Sequence, residues 1–169
     1  ADRILEALPD ARFPYTDVAK DSEYYSDVEF MYTHGYMKGL TDTEFGPDEA
    51  FTKAALAQAL YNIAGTPEVD TGNVAFSDID SSDPTFNAAA WATSKGVLSA
   101  KNGKFAPDSG ITVFNFVLSL VKLSYAGNFV LAKVIKTMVL AFNIIKDFSF
   151  ASFNTALTRA QAAHLLVDY

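Results

Sequence analysis

The stretch EFGPDEAFTKAALAQAL, residues 44–60, decides the fold when set beside KFAPDSGITVFNFVLSL, residues 104–120. Each holds a Phe, a Pro-Asp pair in a polar loop, and a threonine that opens an apolar run. Asp, Gly and Pro interrupt regular structure. A threonine hydroxyl at a helix N-cap accepts a bond from a first-turn amide. Thr52 and Thr112 therefore each start a helix, the first running to Leu60 or Ala64 and stopped by Gly65-Thr66-Pro67. The interval of about sixty residues marks an internal repeat. A blurred third copy, FASFNTALT at residues 150–158, aligns on its terminal threonine, so Thr158 starts the closing helix TRAQAAHLLVDY.

Working outward, YTDV at residues 15–18 recurs as FSDI at 76–79, and ALYNIAG at 59–65 as SLVKLSYAG at 119–127. Each copy reads helix, loop, helix. The first helix of copy one, SDVEFMYTHGYM, begins after residues 22–25, with Gly35 as C-cap. That of copy two, DPTFNAAAWATSKGV, ends at Gly96, and copy three supplies VLAKVIKTMVLAFNIIKD. The one strand candidate is GNVAF, residues 72–76. The fold expected is all-α, with repeats at residues 1–68, 69–127 and 128–169. The three threonine-capped helices bury their apolar faces against one another as a central three-helix bundle with pseudo-threefold symmetry. The helix after Thr112 is apolar at 113, 114, 116, 117, 118, 120, 121 and 123, which predicts burial on most sides.

Composition sets the bounds. With 169 residues, half of them hydrophobic, the chain can bury a sizeable core without staples. Cysteine is absent, which removes disulfides and thiolate chemistry. A net charge of −7 argues against nucleic acid as partner. No run of eighteen apolar residues is present, so no membrane span is expected. The opening ADRILEALPD carries charges too early for a signal-peptide core; an exported parent has already lost its signal. Residues 1–110 hold 8 Lys and Arg against 18 Asp and Glu, residues 111–169 hold 5 against 2, so the last third has a different character.

Aromatic-x-Asp-hydrophobic, an aromatic pair, a helix closed by Gly, Phe-x-Pro-Asp and a Thr-Arg-Ala helix start together resemble the S-layer homology domain. The resemblance spans about residues 15–65 and 76–127, and in copy three rests mainly on LTRAQAA. It implies a three-repeat helical spindle that anchors an exported bacterial protein to the cell wall, without catalysis or cofactor. The implied location is extracellular, on the bacterial surface. The implied partner is pyruvylated secondary cell-wall polysaccharide, held in grooves between repeats. The implied ligand residues are Lys53 and Arg159, at the motif's basic position, with Gln161, Tyr25 and Trp91. A cation suits the ketal carboxylate and an aromatic ring suits a sugar face. Lys53 and Arg159 also read as a solvated first-turn residue and a partner to an acid. Trp91 also reads as core.

The motif departs from the family in TVFN at residues 112–115, where Val113 and Phe114 replace Arg and Ala. Its fourth position holds no acid in any copy. Asn143 stands where copy three's first helix should end in Gly, and Phe153 stands in place of Pro47 and Pro107. A second reading follows: a diverged or engineered scaffold in which Val113, Phe114, Val117, Phe142 and Phe153 frame an apolar pocket for a hydrophobic small molecule.

Other chemistry is thinly supported. His34 and His164 lie in no catalytic or metal motif. The acids of TDTEFGPDE and SDIDSSD lack EF-hand spacing and read as solvated turns. Lys122, Lys133 and Lys136, set among apolar residues, read as snorkelling side chains, with a depressed-pKa amine as the alternative.

Overall fold

A computed structural model of the chain describes residues 13–126, 137, 139–141, 143 and 153–169. Within them lie α1 (Tyr25–Thr33), α2 (Lys53–Ile63), α3 (Phe86–Ser94), α4 (Val113–Tyr125) and α5 (Arg159–Val167). Residues 137, 139–141 and 143 are also helical. The described residues contain isolated β-bridges but no strand, so the fold is all-α. The strand expected at residues 72–76 does not form. Asp70 Oδ1 accepts the Gly72 amide at 3.0 Å and Thr71 O accepts the Val74 amide at 3.1 Å, so local turns consume the backbone. The first helix expected in copy three falls largely outside the described residues.

Three backbone hydrogen bonds, each 2.8 Å, close a ring: Phe51 N–H to Leu157 O, Leu157 N–H to Ile111 O, and Ile111 N–H to Phe51 O. Each donor sits one residue before a capping threonine, so the ring is the point where the three helix starts meet. Phe51 and Leu157 are fully buried and Ile111 nearly so. A buried amide without a partner is costly, and here each repeat supplies the acceptor that another needs.

Further bonds between repeats, running in the opposite cyclic sense, satisfy the helix N-termini, whose first amides have no intrahelical acceptor. Lys53 N–H donates to Ser109 O at 2.8 Å and Ala54 N–H to Pro107 O at 3.0 Å. Arg159 N–H donates to Glu49 O at 2.9 Å and Ala160 N–H to Pro47 O at 3.0 Å. Val113 N–H donates to Thr155 O at 3.3 Å. The third amide of each helix goes to the threonine cap: Ala55 to Thr52, Asn115 to Thr112 and Gln161 to Thr158, each at 3.2 Å. Only Thr158 has the full capping box, its own N–H donating to Gln161 Oε1 at 3.0 Å.

The aromatic-x-Asp motif holds the loops that accept these bonds. Asp17 takes the amides of Phe45 and Gly46 at 2.8 and 2.7 Å; Asp78 takes those of Phe105 and Ala106 at the same distances. Gly46 has φ +71°, a left-handed conformation that glycine adopts freely, and Ala106 is held there at +60°. Across repeats, α2 lies on α3 and α5 lies on α1, so the last helix returns to the first repeat.

Helix α4 differs from expectation. Val113, Phe116 and Leu120 are buried, but Phe114, Leu118 and Tyr125 are 53%, 37% and 50% exposed. The exposed three recur at near-helical spacing on the face away from the core, so apolar composition alone overstated its burial.

Two outcomes follow. Ala106→Gly relieves the left-handed strain and stabilises the fold by roughly 0.5–1 kcal/mol, read as a higher denaturant midpoint. At Asp78, desolvation raises the pKa, but the amides of Phe105 and Ala106 outweigh it and hold the carboxyl below the usual carboxylate range. A depressed folded-state pKa contributes stability that is present above the unfolded value, about 4, and lost as pH falls through the folded one. Asp78→Asn therefore flattens the acid limb of the stability–pH curve, measured by urea titrations below pH 5.

Candidate functional site

The groove begins at the C-terminus of α1. Gly35, at φ +69°, turns the chain out of the helix, and Tyr36 N–H donates back to Met31 O at 2.8 Å. Asn62 on α2 pins this turn, its Nδ2 donating to Gly35 O at 3.0 Å and Tyr36 O at 3.2 Å. Gln58 Nε2 fixes Asn62 from one turn back, at 2.8 Å. At Gly39 a Cβ would collide with the Tyr15 ring and with Glu44 O, and the Gly39 amide donates to the Tyr15 hydroxyl. Glycine is therefore demanded by the loop's close approach to the core.

Residues 35–40 form one wall of a cleft of about 790 Å³. Ala54, Ala55, Gln58, Ala59 and Asn62 of α2, Pro84 and Thr85 before α3, and Arg159 also line it. Lys38 is exposed, and among the described residues no carboxylate pairs with it. The residues lining the cleft thus carry an ammonium on Lys38, amide and hydroxyl groups on Gln58, Asn62 and Thr85, and apolar side chains. A polyhydroxylated anion suits that mixture.

Arg159 borders the cleft but spends much of its guanidinium elsewhere. It is buried. Its Nε donates to Phe45 O at 2.8 Å, one Nη donates to Lys38 O, and the group lies 4.8 Å from the Phe45 ring centre. Burial lowers its pKa, opposed by Tyr15 and Asp17. Lys53, in copy one, repeats this arrangement on the loop of copy two. Its Nζ donates to Phe105 O at 2.6 Å and Ser99 O at 2.7 Å, 4.5 Å from the Phe105 ring centre. Burial lowers its pKa, opposed by Asp78. Each cation clasps the loop of a neighbouring repeat. Val113 holds the equivalent helix position and is fully buried.

The structure does not assemble the other expected ligand residues. Trp91 is 4% exposed and lies against Tyr61 at 5.7 Å, so its ring belongs to the core. Tyr25 is half-buried against Phe13 at 4.8 Å, and Gln161 serves the Thr158 cap. Neither lines the cleft. Of the apolar-pocket set, Val113 is buried, Phe114 faces solvent, Val117 and Phe153 are half-buried, and Phe142 lies outside the described residues. Adjacent residues facing opposite ways do not line one cavity.

The remaining candidates have local tasks. His34 Nδ1 lies 2.9 Å from Phe30 O, and His164 Nδ1 lies 2.7 Å from Asp27 Oδ2, joining α5 to α1. Asp80 accepts the Ser82 amide at 2.9 Å and Asp83 the Thr85 amide at 2.8 Å. Those bonds, with the Ser82 and Thr85 hydroxyls, lower both carboxyl pKa values. Among the described residues no group of His, Asp and Glu is placed to hold a metal ion, and no helix is long and apolar enough to cross a membrane. Lys122 is half-buried; Lys133 and Lys136 lie outside the described residues.

Lys38, Gln58, Asn62 and Thr85 were not singled out by the sequence. One signal was available for the cations. Lys53 and Arg159 occupy the first position of a helix, where the helix dipole disfavours positive charge. A cation there needs strong acceptors nearby, which the carbonyls of the adjoining repeat provide.

Residues 14–57 and 75–112 match the S-layer homology domain. Both matches run from the aromatic-x-Asp motif through the clamped loop, the first into α2 and the second to the cap of α4. S-layer homology domains are surface-anchoring modules of bacterial proteins that bind cell-wall polymers and are generally non-catalytic. No curated protein matches the chain.

Arg159→Lys should be tolerated, because Lys53 already satisfies two such carbonyls with one ammonium. Arg159→Met leaves Phe45 O and Lys38 O without that donor and costs about 2–3 kcal/mol. Urea unfolding of the two variants separates these outcomes.

Proposed function

We propose that the chain is a cell-wall glycan-binding module with its ligand site in the cleft between residues 35–40, α2 and the start of α3. The observation that carries this reading is an open cation, Lys38, among amide and hydroxyl groups on a framework that matches the S-layer homology domain. The ligand is pyruvylated secondary cell-wall polysaccharide. Lys38 meets the ketal carboxylate, and Gln58, Asn62 and Thr85 meet hydroxyls. Arg159 shapes the cleft by holding the Lys38 carbonyl and turns its remaining donors to the ligand. Lys53 does the same at the second junction.

The repeats at residues 1–68, 69–127 and 128–169 form a threefold assembly about the ring of Phe51, Ile111 and Leu157, with the three capped helices as a central bundle. Cyclic hydrogen bonding and the return of α5 to α1 support that arrangement. In the second copy Val113 replaces the cation, so its junction with copy three carries structure, and the junction made by Arg159 with copy one carries the ligand. The parent protein acts outside the cell, on the bacterial surface.

Co-sedimentation with purified wall polysaccharide tests the reading. The protein should be retained, and mild-acid removal of the ketal should release it. Lys38→Ala, which spares the fold because only the side chain is lost, should weaken binding about tenfold or more. Retention that ignores both the ketal and Lys38 overturns this site.

A further inference from the structure

Beyond the cleft, the C-terminal end of α1 carries an aromatic cluster in which Phe30 and His34 are exposed and Tyr36, in the turn that follows, is half-buried against the core. Its buried residues are Val28 and Met31. Phe30, on the outer side, is 39% exposed. The Phe30 and His34 rings lie 4.0 Å apart at 30°, and the His34 and Tyr36 rings stack at 5.5 Å and 25°. Three rings thus form one contiguous cluster. Tyr36, at its inner end, is also part of the cleft wall.

The surface is held rigidly to the cleft. Asn62 grips the carbonyls of Gly35 and Tyr36, and His34 Nδ1 is tied to Phe30 O at 2.9 Å. With Nδ1 engaged there, Nε2 is the nitrogen left to meet a hydroxyl. Rings that are exposed and fixed cost little entropy when they bind. The C–H face of a sugar stacks on an aromatic face, while its hydroxyls keep their water or bond at the edge.

We infer that Phe30, His34 and Tyr36 form a second subsite, a stacking platform for a sugar ring adjoining the unit held in the cleft. Continuity through Tyr36 names the occupant: a polymer lying in the cleft leaves it over these rings. The platform takes the part that Trp91, buried in the core, does not take. The inference rests on the glycan reading above and adds a dependence on chain length to it.

The test uses wall polysaccharide cleaved to single repeating units and to fragments of several units, titrated calorimetrically into the whole chain. The wild type should bind longer fragments more tightly than single units. Phe30→Ala and His34→Ala should keep single-unit affinity and lose the gain with length, about threefold to tenfold. Phe30→Tyr and His34→Tyr, which restore a ring, should recover it, whereas a purely structural Phe30–His34 pair would show as a lower unfolding midpoint with the length gain intact. Three results overturn the platform: that structural pattern, wild-type binding that does not grow with length, and alanine variants that match wild type on long fragments. In each of these the cleft still binds single units. Failure of the wild type to bind any fragment is a different result; it overturns the glycan reading and the platform with it.

Discussion

The hydrogen bonds among Phe51, Ile111 and Leu157 tie together parts of the chain 46 to 106 residues apart. They form only when all three helix starts are present, because each residue donates to one repeat and accepts from another. No single repeat satisfies its own buried amides at this point. The penalty for leaving such groups unpaired makes closure of the ring a condition of folding. The loops of copies one and two gain their shape from Asp17 and Asp78, and they supply the carbonyls that end neighbouring helices. A carboxylate in one repeat thereby fixes the N-terminus of a helix in another.

The cations extend the same logic. Arg159 and Lys53 are partly desolvated charges whose burial is offset by carbonyl acceptors and aromatic faces. They hold repeats together, Arg159 at the rim of the cleft. The Lys38 carbonyl that Arg159 grips belongs to the residue whose ammonium stands open. The cleft exists because α2 lies on α3 while α5 reaches back to the first repeat.

Much of the architecture was legible in the sequence. The threonine caps, the glycine helix ends and the all-α character each rest on a local backbone requirement that a few adjacent residues meet. Gly35 and Gly96 take the left-handed conformation that such helix ends require. Burial was harder to read. Residues 72–76 look like a strand in composition, yet side-chain and backbone turns claim their amides. Helix α4 looks buried all round, yet Phe114 and Tyr125 face outward.

What the sequence by itself determined is where helices begin and end, because capping and turn chemistry act over three or four residues. It also determined that the pattern repeats, since the same local solutions recur in register. Only the tertiary structure decided what each side chain meets. Trp91 and Tyr36 are both aromatic, but one is enclosed and the other borders a cleft. Lys53 and Lys38 are both cations, but one is bound to carbonyls and the other is open. Those differences arise from contacts across repeats, between residues tens of positions apart, and no local spacing encodes them.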